Sequence, residues 1–208
     1  MAESVTRLIE RLEGEAAADR EPAATPDVGI VMGSDSDLDV MAGAHDAFAQ
    51  LGFAEQTDFN NPPDARFTYE TYVVSAHRTP QLMATYADTA AERGIEIIIA
   101  GAGGKSADLP NMTASFAYPL PVIGVPVQEK SVDSVIGMPT GAPLVAVDAG
   151  KSFNAALSAV QFLARSYPEL ADELDAYHHE LRQAVGDVSR ELHDRGTAAF
   201  RADRAGGQ

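Results

Sequence analysis

The chain has 208 residues, 45% of them hydrophobic and 22% charged, which suits one globular catalytic core with appended ends. Zero cysteines exclude a disulfide framework, a thiolate metal site and a cysteine nucleophile, and no run of about 20 apolar residues is present to span a bilayer. A formal charge of −16, from 31 acidic against 15 basic residues, repels nucleic acid at every approach.

The first residues are charged and carry no basic segment followed by an apolar stretch, so nothing resembles an export signal and a cytoplasmic protein is expected. The lysines are Lys105, Lys130 and Lys151, and the acids are spread along the chain. That pattern points to a surface solvated for high salt, where screening removes the repulsion between carboxylates. An ordinary acidic cytosolic protein is the alternative.

Residues 1–26 hold one amphipathic helix, with Val5, Leu8, Ile9 and Leu12 at helical spacing, and an Ala- and Pro-containing tether from Ala16 to Pro26. From residue 27 to 166, short apolar runs alternate with helical stretches. Strands are expected at Val28–Met32, Tyr69–Val74, Ile95–Ala100, Val122–Val127 and Leu144–Val147, with helices at Asp37–Leu51, Thr79–Arg93 and Ser152–Ala164. Continuous rather than alternating apolar runs indicate strands buried on both faces, hence a parallel sheet in an α/β/α domain. Asp58–Arg66 reads as a surface loop. Residues 167–208 form a C-terminal segment whose stretch 171–201 is a long amphipathic helix, either packed on a neighbouring subunit or folded back on its own domain.

In such sheets ligands gather beyond the carboxyl ends of the strands, and three of those places stand out. The first strand runs into Gly33-Ser-Asp-Ser-Asp37 at a helix N-terminus. Gly33 permits the tight turn, while Ser34, Ser36 and free N–H groups form a cradle suited to a phosphate. Asp37 is better placed to accept from ribose hydroxyls, and simple helix capping is the other reading of these residues. The second strand runs into Ser75-Ala-His-Arg-Thr-Pro80. There His77 suits a group that both gives and takes a proton near neutrality, Arg78 offers a fork for phosphate or carboxylate, and Pro80 can open a helix. A solvated His-Arg pair is the alternative. His45, His178, His179 and His193 fall on helical stretches and are expected at the surface. The third loop, Gly101-Ala-Gly-Gly-Lys-Ser-Ala-Asp108, lets backbone approach a ligand closely through Gly103 and Gly104. It is not a P-loop, because Ile99 stands where that motif needs its first glycine. No metal-binding motif accompanies these loops.

Together, Gly33–Asp37, Ser75–Pro80 and Ala100–Gly104 resemble the aminoimidazole ribonucleotide (AIR) carboxylase family of purine biosynthesis. The likeness extends through Gly124-Val-Pro-Val127, Gly137–Pro143 and Asn154-Ala-Ala-Leu157. It implies a flavodoxin-like fold, a homo-octamer with sites at subunit boundaries, and no metal or organic cofactor. It also implies His77 as the proton-transfer residue, with Ser34, Asp37 and Arg78 contacting a ribonucleotide and Ser36 and Ser75 nearby. One branch moves a carboxylate from the exocyclic nitrogen of N5-carboxyaminoimidazole ribonucleotide (N5-CAIR) to ring C4, using substrate from an ATP-dependent synthetase. The other fixes CO2 directly onto AIR. The third loop departs from the usual mutase pattern: it is one residue longer, and Asp108 stands where a histidine is usual. Its Gly104-Lys-Ser106 is similar to the direct carboxylases, but Ser75–Pro80, Leu109-Pro and Asn154–Leu157 favour the mutase. Lys105 is either a partner for the substrate carboxylate or a solvated loop lysine. A flavodoxin-like FMN-binding module is the rival of another class, and it lacks a Trp or Tyr in the loops after Gly33 and Gly101 to cover the flavin.

Overall fold

Val28–Met32 (β1), Ile97–Ala102 (β4) and Val122–Pro126 (β5) are buried along their whole length, and this two-sided burial places them inside a parallel sheet. In this computed structural model, residues 3–18 and 20–206 are described. The remaining strands are Ala54–Glu55 (β2), Thr68–Val73 (β3) and Val145–Ala146 (β6). All six pair in parallel in the order β2-β3-β1-β4-β5-β6.

Alternation along each strand feeds two cores. Ile30, Met32, Ile97 and Ile99 enter one, against the helices Leu38–Gln50 (α2) and Ser152–Leu163 (α6). Val31, Ile98 and Ala100 enter the other. That second face is covered by Glu3–Ala16 (α1), Pro80–Asp88 (α3), Leu109–Phe116 (α4) and Val132–Ile136 (α5). The result is the expected three-layer α/β/α arrangement.

The chain leaves β1 toward β3 on one side and later crosses to β4 on the other, so the strand order reverses beside β1. The crevice at the carboxyl ends of β3, β1 and β4 is therefore the topological switch point where ligands bind in open α/β sheets.

Several elements differ from expectation. The two-residue β2 was not anticipated, because two residues carry no periodicity, and α4 and α5 arise in stretches to which no element was assigned. β4 begins two residues later than predicted, since Gly94, at φ +91°, turns the chain before it. α1 is more than a tether's attachment: it packs on α3 with Leu12 fully buried. The C-terminal helix, Pro168–Gly206 (α7), is interrupted at Gly196, φ 77°. Its first part docks on the core through Leu170, Leu174 and Tyr177, whereas Leu181, Val185, Val188 and Leu192 stay exposed. Nor is His45 a simple surface histidine. Its ring is half-buried, stacks on Tyr69 at 5.5 Å and meets the Thr71 hydroxyl at 3.1 Å, and burial lowers its pKa. Among the described residues, no helix is long and apolar enough to cross a membrane.

Candidate active site

Four strand ends converge on one cleft of about 370 Å³. At the end of β1, Gly33 donates its N–H to the Gly101 carbonyl at 3.1 Å, which holds the first and third loops together. Ser34 is extended and caps the short turn Asp35–Asp37, its hydroxyl oxygen accepting from Ser36 N at 3.4 Å while donating to Asp35 at 3.0 Å. The structure shows the capping, through a long bond, and both serines line the cleft. Asp37 is buried at the start of α2. Desolvation raises its carboxyl pKa, opposed by the backbone N–H groups of Ser34 and Gly33 and by the charge of Arg78.

Beyond β3 the second loop is wound tightly. Ser75 N donates to Thr79 Oγ1 at 2.9 Å, Thr79 N to Ser75 O at 3.0 Å, and Arg78 N to Ser75 Oγ at 3.2 Å. Pro80 then opens α3, as its fixed φ favours. The Arg78 guanidinium donates to the Gly33 carbonyl at 2.8 Å, bridging the first two loops. Nε also donates, to Ser75 Oγ at 3.4 Å, so the N–H groups left for an anion are those on the terminal nitrogens. His77 projects into the cleft with Nε2 3.1 Å from Asp108 Oδ2.

The third loop follows β4. An added Cβ at Gly103 would lie 3.1 Å from Asp37 Oδ1, and Gly104 has φ +89°, so this close approach and this turn both favour glycine. The Gly104 carbonyl accepts the hydroxyl of the fully buried Ser131 at 2.8 Å, anchoring the loop to the segment after β5.

The structure therefore gathers Gly33, Ser34, Ser36, Asp37, Ser75, His77, Arg78, Gly103 and Gly104 around one cavity. Lys105 does not join them. It stands exposed past the turn at Gly104, and Lys130 supplies the lysine of the cleft wall instead. Gln128 and Lys130, not expected at the site from the sequence, line the cleft too, as do Ser106 and Asp108, noted there only as departures in the third loop. The signal for Gln128 and Lys130 was available, because they follow a fourth buried strand at the same edge of the sheet. Among the described residues no group of three or more His, Asp or Glu side chains is arranged to hold a metal ion.

Chemically, the cleft is lined by groups able to bind an anion (Ser34, Ser36, Arg78), by a carboxylate acceptor (Asp37) and by an imidazole able to carry a proton (His77). Comparison with known proteins places the chain in a family. The family profile described as AIR carboxylase matches residues 27–184. An N5-carboxyaminoimidazole ribonucleotide mutase of Synechocystis is 44% identical over 182 residues, covering 85% of this chain and 94% of the relative. One from Aquifex aeolicus is 47% identical over 156 residues, 72% and 84% of the two chains. A chloroplastic phosphoribosylaminoimidazole carboxylase of Vigna aconitifolia is 39% identical over 180 residues, but only 29% of its length is covered. The crystal structure of Treponema denticola PurE superposes with a TM-score of 0.65 at 23% identity, over 80% of this chain and 98% of that one, a likeness of fold. On this match of profile, relatives and fold, the chain belongs to the AIR carboxylase family.

Proposed function

We propose that this protein is an N5-CAIR mutase of de novo purine biosynthesis, converting N5-CAIR to 4-carboxy-5-aminoimidazole ribonucleotide. The observation that carries the reading is His77 at the same cleft as the Ser34, Ser36 and Arg78 anion site, in a chain similar along most of its length to proteins of that name. Ser34, Ser36 and Arg78 take the phosphate, Asp37 accepts from the ribose hydroxyls, and Gly33, Ser75, Gly103 and Gly104 shape the wall. Lys130, not Lys105, faces the carboxylate end.

Protonated His77 gives its proton to the exocyclic nitrogen as the carbamate C–N bond breaks, leaving AIR and CO2 in the cleft. Ring C4 then attacks CO2, and neutral His77 removes the C4 proton, restoring both the aromatic ring and its own starting form. The proton account closes on one residue. Keeping CO2 beside C4 and water away makes recapture faster than escape.

Direct carboxylation of AIR is the second reading, favoured by Gly104-Lys-Ser106. An FMN module is disfavoured because, among the described residues, no Phe, Tyr or Trp lines the cleft. Product formation from N5-CAIR alone, compared with AIR plus bicarbonate, separates the two enzymatic readings: rapid turnover of the carbamate is expected, and turnover of AIR and CO2 alone makes the protein a direct carboxylase. His77→Asn is expected to lose about 10²- to 10⁴-fold in kcat with KM little changed, and an active variant removes His77 from the mechanism.

The protein works in the cytoplasm of a salt-rich cell, as a homo-octamer supplied by an ATP-dependent synthetase. The −16 charge and the exposed stripe Leu181, Val185, Val188 and Leu192 support the first and the second of these. Light scattering and thermal melting from dilute buffer to molar KCl are expected to show an octamer whose Tm rises with salt; a flat Tm removes the salt adaptation, and a monomer in molar KCl the assembly.

A further inference from the structure

An aspartate at a helix N-cap ordinarily spends its carboxylate on free N–H groups of the first turn. Asp108 occupies that position of α4, yet its side chain makes no capping bond. Its oxygens are directed elsewhere. Oδ2 faces His77 Nε2 at 3.1 Å, and Oδ1 accepts the Ser134 hydroxyl at 3.1 Å. Ser134 is itself held, since its carbonyl accepts from Asn111 Nδ2 at 2.7 Å. A chain of contacts thus runs from α4 and α5 to an imidazole carried by the loop after β3.

His77 is 62% exposed, so packing does not hold its ring. Among the described residues, Asp108 is its one hydrogen-bonding partner. An ionised carboxylate only accepts, so Nε2 must bear hydrogen, and the neutral ring then keeps its lone pair on Nδ1.

We propose that Asp108 is a positioning residue: oriented by Ser134, it holds His77 as the Nε2–H tautomer and leaves Nδ1 as the nitrogen that exchanges a proton with substrate. The inference rests on the proton-transfer role of His77 proposed above. It also gives a use to the place where this chain departs from the usual mutase loop.

The test uses the full chain carrying Asp108→Ala or Ser134→Ala, with ¹⁵N-histidine solid-state NMR and steady-state kinetics on N5-CAIR. The His77 signals are assigned by their loss in His77→Asn. At a pH high enough to leave the ring neutral, the wild type should show one tautomer, protonated at Nε2, and Asp108→Ala a mixture. Asp108→Ala should lose about 10- to 100-fold in kcat, within the range a proton-transfer group supplies, with KM changed by less than about twofold. Ser134→Ala should shift both readouts the same way by less, and decides the matter alone if Asp108→Ala fails to fold. A mixed tautomer in the wild type, or Asp108→Ala with unchanged kcat beside an inactive His77→Asn, overturns the positioning role. Full activity in His77→Asn instead overturns the reading beneath it.

Discussion

Arg93 and Glu70 meet at 2.5 Å with side chains 0% and 7% exposed, whereas His77 and Asp108 meet at 3.1 Å with 62% and 42% exposed. The first pair lies under α1, with Glu15 of that helix 3.6 Å from the same guanidinium and the Tyr86 ring 4.7 Å from it. Burial works against the Arg93 charge, but the neighbouring carboxylates and Tyr86 outweigh it and hold its pKa above the usual value. Such a pair stays ionised and stays in place. The second pair is partly open to solvent and contributes little to stability. Similar partners make a strut in one region and, on the proposed function, working parts in the other, and solvent access makes the difference.

The comparison breaks most directly at the strut. Arg93→Ala leaves Glu70 buried without its cation and is expected to cost about 3–5 kcal/mol in urea unfolding, whereas Asp108→Ala is expected to cost less than about 1 kcal/mol. Equal losses at the two sites would mean that exposure does not set their roles. A double replacement, Arg93→Met with Glu70→Leu, should recover much of the loss, because well-packed apolar groups replace buried charges without leaving one unpaired.

Asp27 sharpens the contrast with a smaller effect. It is buried, like Glu70, but its carboxylate accepts from the Thr68 N–H at 2.6 Å rather than from a cation. Burial, with Glu96 adding to it, pushes the Asp27 carboxyl up to about 6 from the usual 3.8, against the Thr68 bond and the Arg66 charge. A raised carboxylate pKa means that the folded state binds the proton more tightly than the unfolded chain. Stability from this group is therefore lost as pH rises from about 4 to 6, and the cost of the charge, up to about 3 kcal/mol, is fully present above that. Asp27→Asn should consequently stabilise the protein at pH 8 by up to about 3 kcal/mol, with the gain vanishing near pH 4. Urea melts at the two pH values check it, and a gain independent of pH would assign the effect to packing.

The legible parts of this protein are those written in contiguous residues. β1, β4 and β5 announce themselves as unbroken apolar runs, and Gly33–Asp37 and Ser75–Pro80 each carry their turn, cap and polar groups within six positions. The short strand β2 left no clear pattern of its own, because it exists through pairing with β3, whereas β6 lies inside the apolar run Leu144–Val147. α1 could be recognised as an amphipathic helix, but its polar face offered no sign that Glu15 would be buried beside Arg93.

The local order of the chain by itself determined a parallel α/β sheet, its family, and the loops that bear Ser34, Asp37, His77 and Arg78, since hydrophobic periodicity and turn chemistry act between near neighbours. Which loops face one another was decided only by the strand order, which sets β1 between β3 and β4 and opens a crevice where their ends diverge. That arrangement chose Lys130 over Lys105 for the cleft wall and set Asp108 against His77. Contacts between residues far apart along the chain depend on how whole elements pack, and no local pattern records them.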